Sequence, residues 1–185
     1  QLEKELRSYL DSANPPKVDG SILALIVPHA GYAYSGPVAA YGYKAIMAKE
    51  IASSRLAAQS DRGGTRNDEV VTRSRNDAIG TVIILGFSVS IYDGSSWKTP
   101  LGEIAVDMAM AQKIISSNPR FRFQKELFDD ENSVEMQIPF IQAAIGKMGQ
   151  SPAGTVPIFP KILPIAFGSQ DYGDAQALAA VLAEI

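Results

Sequence analysis

Leu23-Ala24-Leu25-Ile26-Val27-Pro28-His29-Ala30-Gly31-Tyr32-Ala33-Tyr34-Ser35-Gly36 is a short apolar run that breaks at a proline and empties into a segment with two glycines and two tyrosines. Residues 23–27 are apolar without alternation, which is the pattern of a strand covered on both faces. Pro28 has no N–H to give to a ladder, so pairing should end there. The chain's only histidine, His29, would then stand at the carboxyl end of a buried strand. In open α/β sheets that crevice is where ligands bind. A histidine that only hydrogen-bonds within a turn is the competing reading.

Working outward, the N-terminal Leu2, Leu6, Tyr9 and Leu10 recur at helical spacing, and Asn14-Pro15-Pro16 ends the pattern. Beyond the strand, Ser35 or Gly36 can cap a helix with Pro37 at its first position, its inner face formed by Val38, Tyr41, Ala45 and Ile46. Thr81–Leu85 repeats the covered-strand pattern, and Thr99-Pro100-Leu101-Gly102 reads as a turn. Asp107 is placed to cap a helix through Ala111, Ile114 and Ile115. Phe121 and Phe123 alternate like a short strand. Asn132 with Glu135 three residues on approximates a capping box, and Pro139 should kink the helix that follows. A covered strand at Ile162–Phe167 contains Pro164, which limits pairing on its side. A last helix has Ala175, Leu178, Ala179, Leu182 and Ile185 as its inner face. Strand and helix alternate, so the expected fold is α/β with a mainly parallel sheet flanked by helices, one domain over residues 1–185.

Residues 50–79 break the alternation. They are rich in Ser, Arg, Asp and Gly without a sustained apolar period, and read as an insertion. Such a segment cannot offset its own ordering entropy, so a protein partner binding through it is expected, with Val70 and Val71 as the docking point.

Composition excludes several classes. At 185 residues and 46% hydrophobic the chain can bury a real core, while a net charge of −3 gives no general attraction to nucleic acid or anionic membrane. No apolar run nears the ~18 residues of a membrane span, and the start, QLEKELRSYLDSA, has no signal-peptide core. The expected location is intracellular and cytoplasmic, organelle targeting staying open if a segment precedes residue 1. Without cysteine there are no thiolate nucleophiles and no zinc-thiolate sites. Neither a Walker loop, GxGxxG nor GxSxG is present.

HAGYAYSGPVAAYGYKAI (29–46), IILGFS (83–88), TPLGEIAVD (99–107), ENSVEMQIPFIQ (131–142) and ILPIAFGS (162–169), in that order, resemble the Memo-like family, protein B of the AmmeMemoRadiSam group. The resemblance implies a fold akin to the class III extradiol dioxygenases and a cleft whose metal-type ligands are histidines. The cleft candidates it implies are His29, Ser88, Asn132 and Glu135. Where the family reads GPSHH, this chain has Phe87, Val89 and Ser90 in place of the proline and the two histidines. Where the family reads EHSIEVQLP, Asn132 replaces a histidine while Glu131, Glu135 and Gln137 match.

A two-histidine, one-carboxylate iron site needs two imidazoles, and this chain has one. No metal ligand is assigned. The expected cofactor is none, with Fe or Cu as the alternative if ligands come from outside this chain. Tyr32, Tyr34, Tyr92, Trp97 and Gln137 are the candidate binding residues, Tyr92 and Trp97 having simple packing as their alternative. The leading expectation is a catalytically degenerate binding or structural module, alone or as a subunit of a larger assembly. A metal-dependent, dioxygenase-related enzyme and a metal-free phosphopeptide or small-ligand binder are the alternatives.

Overall fold

The computed structural model describes residues 1–20, 22, 24–60, 81–86, 90–129, 132–145, 160–166 and 172–184, with backbone alone at 49–60. A three-stranded sheet, β1 (Thr81–Gly86), β5 (Lys161–Ala166) and β2 (Ser90–Ile91) in the order β1-β5-β2, divides two apolar layers. β1 and β5 run parallel, Thr81 opposite Lys161 through Gly86 opposite Ala166, whereas β2 is antiparallel to β5. The described sheet is therefore mixed and small rather than mainly parallel.

Pro164 accounts for the brevity of β2. Its carbonyl accepts from the Tyr92 N–H at 3.2 Å, but it has no N–H to return, so the antiparallel ladder stops at Ile91. The expectation that Pro164 limits pairing on one side holds, even though β5 is the central strand.

On one face of the sheet lie α1 (Leu2–Ser12), α2 (Tyr32–Ser60) and α5 (Ile138–Ile145). Leu6, Leu10, Ala39, Ala40, Tyr43, Phe140 and Ile141 pack there with Ile84, Ile162 and Ala166. On the other face α3 (Met108–Ser117) and α6 (Tyr172–Glu184) bring Ala111, Ile114, Leu178 and Val181 against Leu163 and Ile165. The alternation along β5, Ile162 to one layer and Leu163 to the other, is why that strand reads as continuously apolar. In α6, Ala175 and Ala179 are exposed and Val181 is buried, so its inner face is turned from the expected one.

α2 departs from expectation in three ways. It begins at Tyr32, with Ser35 donating its hydroxyl to the Ala30 carbonyl, so Pro37 lies inside the helix rather than at its first position. Its buried face is Gly36, Ala39, Ala40, Tyr43 and Met47, while Val38 and Tyr41 are 62% and 47% exposed. The cause is close approach: a Cβ on Gly36 would lie 2.6 Å from the Tyr9 ring, so the small residues face α1 and the larger ones are turned away. The helix also runs on through Ser60, so the first part of the expected loop at 50–79 is helical. Ala, Leu, Arg and Gln in residues 51–60 are good helix formers, and the absence of an apolar period did not outweigh them. Residues 61–79, with Val70 and Val71, lie outside the described residues.

Of the strand expected at 23–27, Leu23 lies outside the described residues, and residues 24–27 do not form a strand. Residues 24–29 carry no ladder pairing; Leu25 and Val27 turn inward onto α2 beside Gly42, and Ile26 is 98% exposed.

Elsewhere the reading of Asp107 and of the turn at 99–102 meets the structure, and the readings around Phe123, Asn132 and Pro139 do not. Asp107 accepts from the Met110 N–H at 3.0 Å as the cap of α3, and from the Thr81 hydroxyl at 2.7 Å. Pro100 and Leu101 make the turn of an antiparallel hairpin, β3 (Ser96–Thr99) and β4 (Gly102–Ala105), with Gly102 at φ 114. Phe123 makes only an isolated bridge to Ile91, and Lys125–Phe128 is a 3₁₀ turn. Instead of one kinked helix, α4 (Asn132–Glu135) ends in a turn and α5 starts afresh at Ile138, with Pro139 in its first turn, where a missing N–H costs little. Asn132 is the first residue within α4 rather than the cap ahead of it. Among the described residues no helix is long and apolar enough to cross a membrane.

Candidate functional site

The start of α2 and the turn between α4 and α5 meet through two tyrosines. Tyr43 donates its hydroxyl to Oε1 of Gln137 at 2.5 Å, both groups buried, and its ring stacks on Phe140 with centroids 5.0 Å apart. Tyr32 donates to the Met136 carbonyl at 3.2 Å and meets Phe140 edge-on at 5.8 Å. Spacing explains the pair: residues 32, 36, 39, 40, 43 and 47 form one stripe of α2, and its small members let the helix come close enough for the rings to reach α5.

Burial, and next the negative charge of Glu135, push the Tyr32 phenol up to about 12. Tyr43 is raised further, by burial and then by Tyr32. Both phenols are therefore neutral donors at ordinary pH, already committed to acceptors, and offer neither a base nor a nucleophile.

Of the expected cleft residues, His29, Asn132 and Glu135 lie on the segments that meet at this knot. His29 is exposed three positions before Tyr32; Asn132 and Glu135 are exposed on α4, which ends beside Met136. Gln137 is buried and held by Tyr43. Tyr34 points away, 86% exposed. Ser88 lies outside the described residues. Tyr92 and Trp97 belong to a separate cluster with Phe128, centroids 4.7 Å apart from each other and 5.4 and 6.0 Å from Phe128, which pins the β3–β4 hairpin to the domain. Ser90, at a position where the resemblance expects histidine, is fully buried and donates to Gln124 Oε1 at 2.7 Å.

Tyr43 was missed in sequence. The stripe of Gly36, Ala39 and Ala40 was the available signal, since small residues mark the side of a helix that packs closely. Tyr41, chosen for the inner face, lies off that stripe.

The donor set does not fit the metal that the dioxygenase likeness implies. The whole chain holds one imidazole and no thiolate. Among the described residues no group of three or more His, Cys, Asp or Glu side chains could hold a metal ion.

The model of the family described as Memo-like protein matches residues 1–57 and 74–185, leaving 58–73 unmatched. A MEMO1 family protein of Pyrobaculum aerophilum is 31% identical over 169 residues, covering 91% of this chain and 49% of its own length. One from Pyrobaculum arsenaticum is 34% identical over 131 residues, with 71% and 40% covered. One from Sulfurisphaera tokodaii is 32% identical over 128 residues, with 69% and 38% covered. The chain thus spans about half, or less, of the length of these relatives. With a family model matched along most of its residues and relatives above 30% identity over most of its length, the chain belongs to the Memo-like family.

Proposed function

We propose that this chain is a catalytically degenerate Memo-like domain that works as a binding or structural module. The observation that carries the reading is the donor count. The resemblance expects imidazoles at 89, 90 and 132, and these positions hold valine, serine and asparagine. Amide and hydroxyl oxygens can serve hard cations but are poor selectors of redox metals. What survives is framework: Tyr32, Tyr43, Gln137 and Phe140 tie α2 to the α4–α5 turn through hydrogen bonds and ring contacts that are already satisfied among themselves. The proposed partner is a protein, engaged through the segment within residues 50–79 that interrupts the family match at 58–73.

Restoring donors tests the reading. In the variant Val89→His/Asn132→His, Co(II) affinity should rise at least tenfold over the unmodified protein, with the d–d absorption of an imidazole-ligated ion, and should fall again when His29→Ala is added. If the unmodified protein already binds Co(II) as tightly as the variant, with the signal lost in His29→Ala, its site is intact and the degenerate reading is wrong.

A further inference from the structure

We propose that the outward face of α2 docks antiparallel on the same face of a second copy of this chain. This inference goes beyond the partner proposed for the segment within 50–79 and is independent of whether the site binds metal.

Residues 34, 37, 38, 41, 45 and 48 recur at helical spacing and share one side of α2, opposite the inward stripe of Gly36, Ala39, Ala40, Tyr43 and Met47. Tyr34, Pro37, Val38, Tyr41 and Ala48 are exposed, and Ala45 is half-buried. A solvated helix face normally carries charge, yet no Asp, Glu, Lys or Arg occurs from Gly20 through Tyr43. A helix that is apolar on its outer as well as its inner side is one built to be covered. Gly42 continues the row of Val38 and Ala45, and a Cβ there would meet Leu25 at 2.7 Å and Val27 at 2.8 Å. The segment that carries the exposed Ile26 therefore runs along the border of the same face and widens it.

Three features select a second copy as the occupant. The first is shape. Bulk is concentrated at one end of the stripe, in Tyr34, Pro37 and Val38, and space at the other, at Ala45 and Ala48. In an antiparallel pair centred on Tyr41, Tyr34 falls over the second copy's Ala48 and Pro37 over its Ala45, so each bulky end fills the other's shallow end. A parallel pair would set Tyr34 against Tyr34 and leave the alanines apart. The second feature is area. Tyrosines bury about 150–250 Å² each, so Tyr34 at 86% exposure and Tyr41 at 47% leave about 200–330 Å² open between them. With Ile26 and Val38 added, the patch can supply the core of an interface at the low end of the specific range, ~600 Å² per partner. That size suits a reversible dimer rather than an obligate one. The third is charge. An isologous contact brings the same uncharged surface from both sides, so no ion is desolvated, and tyrosine is a residue that interface cores favour.

Sedimentation equilibrium of the unmodified protein should show a reversible monomer–dimer exchange with a Kd of about 10–100 μM. Tyr34→Lys should weaken it at least tenfold, whereas Tyr172→Lys, at an exposed position on α6, should leave it unchanged. The absence of cysteine allows a second readout that does not depend on Tyr34→Lys folding. Packed helices lie ~8–10 Å apart, which brings facing Cα atoms to roughly the 4.4–6.8 Å that a disulfide spans. Tyr41→Cys should therefore form disulfide-linked dimers in a glutathione buffer at least tenfold faster than Tyr172→Cys. A protein that stays monomeric well above that concentration range has this face covered by something other than a second copy, and the proposal fails. It fails equally if the dimer ignores Tyr34→Lys, or if Tyr41→Cys and Tyr172→Cys cross-link at the same rate.

Discussion

Tyr43 is the residue that joins α2 most directly to the α4–α5 turn. Its hydroxyl satisfies a buried amide oxygen, and its ring stacks on Phe140. Tyr43→Phe keeps the stack and removes the donor, so urea unfolding should show a loss of about 1–3 kcal/mol, the cost of leaving a buried acceptor unpaired. Tyr34→Ala, at an exposed position, should stay within about 0.5 kcal/mol. The phenols also set an alkaline limit. Tyr32 is raised from its ordinary value to about 12 in the folded chain, so the folded state holds the proton more tightly than the unfolded state does. The stability linked to that proton is complete below about pH 10 and is lost as pH rises toward 12. The share of the 295 nm tyrosinate absorbance that Tyr32→Phe removes should therefore appear late, together with unfolding, and Tyr32→Phe should flatten the alkaline limb of the stability curve.

Among the elements, α3 and the α1–α2 seam have their causes in single residues. Asp107 caps α3 and receives the Thr81 hydroxyl, tying the helix to the start of β1. Asp107→Ala should cost about 1–2 kcal/mol in thermal or denaturant unfolding. Burial opposes the charge of this carboxylate, but the hydrogen bonds from Thr81 and Met110, with the nearby charge of Lys161, outweigh it and hold the group below its ordinary value. Its contribution is thus present above about pH 4 and lost as pH falls through the lowered folded value, a dependence that Asp107→Ala should remove. At the seam, Gly36→Ala should destabilise by about 1–3 kcal/mol, because Tyr9, which donates to Glu5, must move to admit the methyl group. These elements also show what the sequence made legible. Asp107, the Pro100-Leu101 turn and the pairing limit at Pro164 were read correctly because each rests on one local backbone rule. The inner faces of α2 and α6 were misread because neighbouring helices, which periodicity does not see, choose between adjacent apolar stripes. The joint between residues 32–43 and 136–140 was not legible: nothing local to Tyr43 announces a partner at Gln137.

At the scale of the whole molecule, two apolar layers on either side of a small mixed sheet leave a framework with very few metal-selecting groups. Residues 61–76 fall largely within the gap in the family match. Replacing them with a short Gly/Ser linker should leave the midpoint of thermal unfolding unchanged within a few degrees while weakening capture of the proposed protein partner; a domain that unfolds on this deletion would show the segment to be part of the core. The proposed lack of a redox-metal site is put to the test by anaerobic calorimetric titration of the metal-free protein with Fe(II), repeated with Cu(I) and Zn(II). No saturable binding at one ion per chain with a Kd below about 10 μM is expected, with heats unchanged by His29→Ala. One ion bound per chain in the submicromolar range, abolished by His29→Ala, would contradict it.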